Sequence, residues 1–116
     1  MEVATTIRCA VDPSTGIMSA TGLTSDWATL DRHPDAGTRF ATTVVPGFHA
    51  AVALCTELHG RLPHVGVVGW DVMIEASSCP HVVEWNAYTP VITYAEPVSG
   101  PCFEGLGWES LWMSGR

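Results

Sequence analysis

The sequence predicts an α+β fold in which an antiparallel β-sheet is backed by one α-helix. Three observations carry that prediction. Two Val-, Ile- and Trp-rich runs, at residues 65–75 and 81–86, flank the turn-forming segment Ala76-Ser77-Ser78-Cys79-Pro80. An earlier pair of extended runs flanks Asp12-Pro13-Ser14-Thr15-Gly16. Between the two pairs, apolar residues at Phe48, Val52, Cys55, Leu58 and Leu62 recur at helical spacing.

Taken in chain order, residues 2–11 alternate enough to be a strand, and residues 17–23 form its returning partner after the Asp12 turn. Residues 24–39 are polar, carry Asp, Pro and Gly, and are predicted as loop. Residues 40–45 are predicted as a short strand or extended segment leading into Pro46. Residues 47–62 are the helix, with Gly60 and Pro63 as stop signals. Its apolar face is expected to pack on the back of the second hairpin. Beyond Asn86 the chain is expected to be an irregular tail over residues 87–116. Pro90, Pro97, Gly100, Pro101, Gly105 and Gly107 interrupt it. Residues 91–96 are a candidate short strand, and Phe103, Leu106, Trp108, Leu111 and Trp112 a candidate final helix or docking patch.

The second hairpin is the chemically informative part. A four-residue loop would pair Glu75 with Pro80. The same register places Met73 opposite Val82, Val72 opposite Val83, Asp71 opposite Glu84, Trp70 opposite Trp85 and Gly69 opposite Asn86. Opposed residues share a face, with Cβ atoms about 4.5–5.5 Å apart. Asp71, Glu84 and Asn86 are therefore expected on one face, and Trp70, Val72, Val83 and Trp85 on the other, facing a core. Two carboxylates and an amide oxygen form a hard-oxygen set of the kind Mg²⁺ prefers. Opposed like charges destabilise a bare hairpin, and a divalent cation would remove that cost. The plain alternative is that these are water-facing acids on a half-exposed hairpin.

The ordered motifs resemble the sugar-transfer-associated family of the ATP-grasp superfamily. They are Thr5-Thr6-Ile7-Arg8, His33-Pro34-Asp35-Ala36-Gly37, Val45-Pro46-Gly47-Phe48, and Gly69-Trp70-Asp71 followed by Glu84-Trp85-Asn86. The resemblance covers roughly residues 5–86 and implies the C-terminal lobe of the ATP-grasp fold, so residues 1–116 are expected to form a single partial domain. It implies that Asp71, Glu84 and Asn86 hold Mg²⁺ (or Mn²⁺) bound to ATP, and that Arg8 contacts a phosphate. The implied chemistry is that of a carboxylate–amine (or other nucleophile) ligase proceeding through an acyl phosphate. The implied partners are ATP, a small-molecule or sugar-linked carboxylate, and a second chain or N-terminal lobes that carry the phosphate-binding lysines. The 116 residues contain five Arg and no Lys, so this chain alone is expected to be inactive. The alternative is a non-catalytic interaction module that docks through its aromatic tail.

Composition limits the remaining classes. Hydrophobic content is 47% and charged content 15%, a globular balance rather than a disordered one. A net charge of −7 lacks the clustered basic residues that nucleic-acid binding needs. No apolar run approaches the roughly 20 residues of a membrane span. The first eleven residues lack a secretory signal core, so a cytoplasmic location with free thiols at Cys9, Cys55, Cys79 and Cys102 is expected. His33 is a candidate for the cleft or for loop capping. His49, His59 and His64 show no metal-ligand pattern, and Glu75 is expected to be a strand-end surface acid. Cys79 and His81 flank a proline, but no third group to orient them as a nucleophilic pair is visible in the sequence.

Overall fold

A computed structural model describes residues 6–88, 96 and 100–107. The elements defined among those residues are two antiparallel sheets and an α-helix, the α+β class that the sequence predicts. The first sheet has three strands in the order β1-β2-β3: β1 (Arg8–Val11), β2 (Met18–Leu23) and β3 (Thr29–Leu30). The second is a hairpin of β4 (Gly69–Ile74) and β5 (Pro80–Asn86). The helix, α1 (Phe48–Gly60), lies between them in sequence and packs against β5. The single sheet expected from the sequence is therefore two, because each hairpin pairs only within its own part of the chain.

The first hairpin closes through an Asp12 carboxylate that accepts hydrogen bonds from the Ser14 amide (2.8 Å) and the Ser14 hydroxyl (2.6 Å). This is the side-chain mimic of a turn that Asp favours. Gly16 then sits at φ 76°, in the left-handed region. Residues 40–45 differ from the extended segment predicted. Phe40–Thr42 is a 3-10 turn, and only Val44 pairs with β2's approach, through a bridge to Ile17. The reason is Phe40, whose ring is drawn into the first sheet. A Cβ on Gly22 would lie 2.6 Å from the Phe40 ring, so β2 carries glycine where the ring seats. Within the predicted loop, β3 adds a two-residue edge pairing Gly22 with Leu30 and Leu23 with Thr29.

Among the described residues the buried apolar ones are Ala10, Leu23 and Phe40, joined by the buried Thr24. The core thus belongs to the first sheet and its 3-10 turn, not to the back of the second hairpin. Residues Val83 and Trp85, expected to face a core, are 62% and 50% exposed. Helix α1 has no fully buried residue, although Phe48, Cys55 and Leu58 are half-buried on its predicted apolar stripe. Gly47 caps α1 at φ 65°, where an added Cβ would collide with the Ser78 carbonyl oxygen. The helix N-terminus therefore abuts the tip of the second hairpin. Among the described residues, no helix is long and apolar enough to cross a membrane. The predicted strand at residues 91–96 lies outside the described residues except for Glu96, which is helical rather than extended, and Trp108, Leu111 and Trp112 of the predicted tail also lie outside them.

Candidate functional site

The far half of the second hairpin follows the register expected from the sequence. Gly69 pairs with Asn86, Trp70 with Trp85 and Asp71 with Glu84. Exposure alternates along β4: Trp70, Val72 and Ile74 are half-buried, and Asp71 and Met73 are exposed. Trp70 and Trp85 meet on the inner face, with ring centroids 6.3 Å apart and planes tilted by 30°. Asp71 and Glu84 are both exposed on the outer face, and Asn86, two residues on from Glu84, shares it. Its Oδ1 accepts a hydrogen bond from the Tyr88 amide at 2.9 Å. Two carboxylates and an oriented amide oxygen on one solvent-facing patch fit the all-oxygen preference of a hard divalent cation.

Nearer the turn the register departs from expectation. Val72 pairs with Val82, Met73 with His81 and Ile74 with Pro80, so the Glu75–Pro80, Met73–Val82 and Val72–Val83 pairs do not form. The register shifts between Asp71 and Val72, leaving Val83 as the extra residue of a β-bulge. The cause lies in the turn. The Ser78 amide donates to the Glu75 carbonyl at 2.8 Å and the Glu75 amide to the Cys79 carbonyl at 3.0 Å. That closure starts the ladder at Ile74 and Pro80, one residue out of step with Asp71 and Glu84, and the bulge absorbs the difference. It also explains the exposure of Val83.

The bulge has a second effect. Cys79 and His81 fall on the same outer face as Asp71, Met73 and Glu75. The ligand atoms of Glu75, Cys79 and His81 lie within 4.8 Å of one another. The third group that the sequence does not show beside Cys79 and His81 is therefore Glu75. Turn closure across the hairpin brings it there, and neither a spacing pattern nor the expected register reveals it. Glu75 is exposed, as expected for a strand-end acid, but it also pairs with His81, Nε2 to Oε1 at 2.6 Å.

The other candidates sit elsewhere. Arg8 lies in β1, opposite Leu23, with Nη1 donating to the Ser25 hydroxyl at 3.5 Å. It is part of the first sheet and not of the hairpin that bears Asp71. His33 caps its own loop: Nδ1 accepts from the amides of Asp35 (3.2 Å) and Ala36 (3.3 Å). His59 is half-buried and bonds to the Val65 carbonyl at 2.7 Å, while His49 and His64 are exposed. All four cysteines are free thiols. Burial pushes the Cys55 thiol above its ordinary value. Three carboxyls of the first sheet and its loops lie below theirs. Ser14 hydrogen bonds lower Asp12, the Thr24 hydroxyl lowers Asp26, and the Arg32 guanidinium lowers Asp31. A groove of about 710 Å³ between the first hairpin and residues 100–102 contains none of Arg8, Asp71, Glu84 or Asn86. Concavity therefore does not locate the oxygen-rich face.

No curated protein and no solved structure shows a significant match to the chain. The model of the family described as sugar-transfer associated ATP-grasp does match, from residue 5 to residue 103. That span contains both sheets, the helix and the whole of the Asp71, Glu84 and Asn86 face. The chain belongs to the sugar-transfer associated ATP-grasp family.

Proposed function

We propose that this chain supplies the Mg²⁺- and ATP-binding lobe of an ATP-grasp ligase, with Asp71, Glu84 and Asn86 holding the metal. The carrying observation is the direct opposition of Asp71 and Glu84 on an exposed hairpin face, with Asn86 beside them, inside the family match. When bound, such an ion neutralises and aligns the phosphates of ATP, which is the main requirement of phosphoryl transfer. Asp71 and Glu84 contribute two anionic oxygens from two strands. The Tyr88 amide orients the Asn86 oxygen. Because β4 and β5 are paired through this region, the two carboxylates are positioned by main-chain hydrogen bonds rather than by a loop.

The reaction class carried by this reading is ATP-driven activation of a carboxylate to an acyl phosphate, then capture by an amine or another nucleophile. The substrate would be a small-molecule or sugar-linked carboxylate, and the setting the cytoplasm, where ATP is abundant. Arg8 is the candidate phosphate contact from the first sheet. With no Lys among its 116 residues, the chain alone is expected to show ATP turnover indistinguishable from buffer.

Calorimetric titration of Mg²⁺ or Mn²⁺ with and without ATP tests the site. Metal-dependent ATP binding is expected, weakened more than about 10-fold in Asp71→Ala/Glu84→Ala. ATP binding that needs no metal, or that the double variant retains, would sink the assignment. A second reading, a binding module that docks through its tail, draws on the exposure of Phe103 (41%) and Leu106 (51%). A Phe103→Ser/Leu106→Ser variant separates the two, since metal-dependent ATP binding survives it on the first reading.

A further inference from the structure

The tip of the second hairpin carries a donor set unlike the oxygen-rich face beside it. Glu75 follows β4, Cys79 precedes β5, and His81 lies within β5, so both ends of the turn and the second strand contribute. All three residues are exposed, and their ligand atoms lie within 4.8 Å of one another. The pairing of His81 with Glu75 at 2.6 Å and the donation of the Ser77 hydroxyl to the other Glu75 oxygen at 3.1 Å hold the carboxylate in place. Ser78 takes a left-handed backbone, φ 64°, immediately before Cys79.

An exposed His–carboxylate pair contributes little by itself, and it does not account for a free thiol at the same point. A thiolate sulfur, an imidazole nitrogen and a carboxylate oxygen together are a borderline-soft set. Mg²⁺ and Ca²⁺ take oxygen ligands, whereas Zn²⁺ binds sulfur, nitrogen and oxygen tetrahedrally. Bond lengths of about 2.0–2.3 Å put tetrahedral ligand atoms roughly 3.3–3.6 Å apart. The three ligand atoms, all within 4.8 Å of one another on exposed side chains, are close to that spacing.

We propose that Glu75, Cys79 and His81 form a Zn²⁺ site at the hairpin tip, with water in the fourth position. On binding, the Cys79 S–H proton passes to solvent and the sulfur bonds to the metal. The ion fastens the turn against which the α1 N-terminus rests. This site shares no ligand with the Asp71, Glu84 and Asn86 face, and its fate is independent of the Mg²⁺ reading.

The test is titration of the reduced 116-residue chain with Co²⁺ and then Zn²⁺, in the presence of excess Mg²⁺. One equivalent of Co²⁺ is expected to bind with a thiolate charge-transfer absorption, and Zn²⁺ to displace it and raise the melting temperature. Cys79→Ser abolishes the absorption. His81→Ala and Glu75→Gln weaken Zn²⁺ binding, the former by more than about 100-fold, beyond the roughly 10–100-fold that loss of an orienting partner costs. Asp71→Ala/Glu84→Ala leaves it unchanged. Far-UV circular dichroism confirms that each variant is folded, and Glu75→Gln, which keeps the side-chain shape, stands in for any that is not. Failure of the wild-type chain to bind one equivalent, an absorption that survives in Cys79→Ser, or displacement by Mg²⁺ would each overturn the proposal.

Discussion

At the scale of single residues, two charges set the most direct expectations. Asp71 and Glu84 are opposed on one face, and opposed like charges cost a hairpin about 0.2–1 kcal/mol. Glu84→Gln is therefore expected to stabilise the metal-free chain by about that amount. Saturating Mg²⁺ and ATP should reverse the order, because only the wild type then gains binding energy. Urea unfolding with and without Mg²⁺–ATP measures both. Asp12 gives a pH prediction. Its carboxyl lies below the ordinary 3.8 because Ser14 hydrogen bonds favour the charged form. A depressed native value means the contribution is complete above about pH 4 and is lost as pH falls through the native value. Asp12→Asn can still accept the Ser14 bonds but cannot titrate. Its stability should fall less steeply than wild type between about pH 4 and pH 2.

At the scale of elements, the contact between the α1 N-terminus and the hairpin tip is the joint to test. Gly47 has φ 65°, and a Cβ there would strike the Ser78 carbonyl. Gly47→Ala is expected to cost about 1–3 kcal/mol, since it adds both left-handed strain and a clash. Gly60 ends the same helix with nothing within 4 Å of an added Cβ. Gly60→Ala should stabilise by about 0.4–1 kcal/mol through the unfolded chain. Equal effects at the two positions, read by urea unfolding, would show that Gly47 is not a joint. The elements also show what the sequence could reveal. The Asp71–Glu84, Trp70–Trp85 and Gly69–Asn86 pairs were expected from a Glu75–Pro80 closure that does not form, and they occur because the bulge at Val83 offsets the one-residue difference at the turn. The Val72–Val82 and Met73–His81 pairs were not expected, because turn closure by main-chain hydrogen bonds leaves no mark in residue spacing. Phe40 reads as the start of an extended segment and becomes a 3-10 turn, since its ring is captured by a distant glycine, Gly22.

For the molecule as a whole, the buried apolar set among the described residues is Ala10, Leu23 and Phe40, while Met73, Val83 and Trp85 stand half or more exposed. A stability under about 5 kcal/mol is expected, at the low end for a folded domain. Dyes that report exposed apolar surface should bind the native chain. Mg²⁺–ATP and Zn²⁺ should each raise the melting temperature, and additively, because the two sites share no ligand. A urea midpoint typical of a well-packed domain, with no dye binding, would contradict this view of the surface. The family and the α+β class were legible from ordered motifs and periodicity. The division into two sheets was not, since no single-residue pattern says which strands stop pairing.

The bulge at Val83 works as a phase shift in β5. In an unbroken strand, residues separated by an odd number of steps look in opposite directions, so His81 and Glu84 could not share a side. With Val83 set aside from the count, positions 79, 81, 84 and 86 read in one frame and Val82 and Trp85 in the other. Deleting Val83 should therefore leave every other cross-strand partner where it is and merely straighten the ribbon. Adding one residue between Cys79 and Val82 should instead invert the tip and spare the acids. A one-codon edit thus separates the two ends of the hairpin, and either end can change its chemistry without the other.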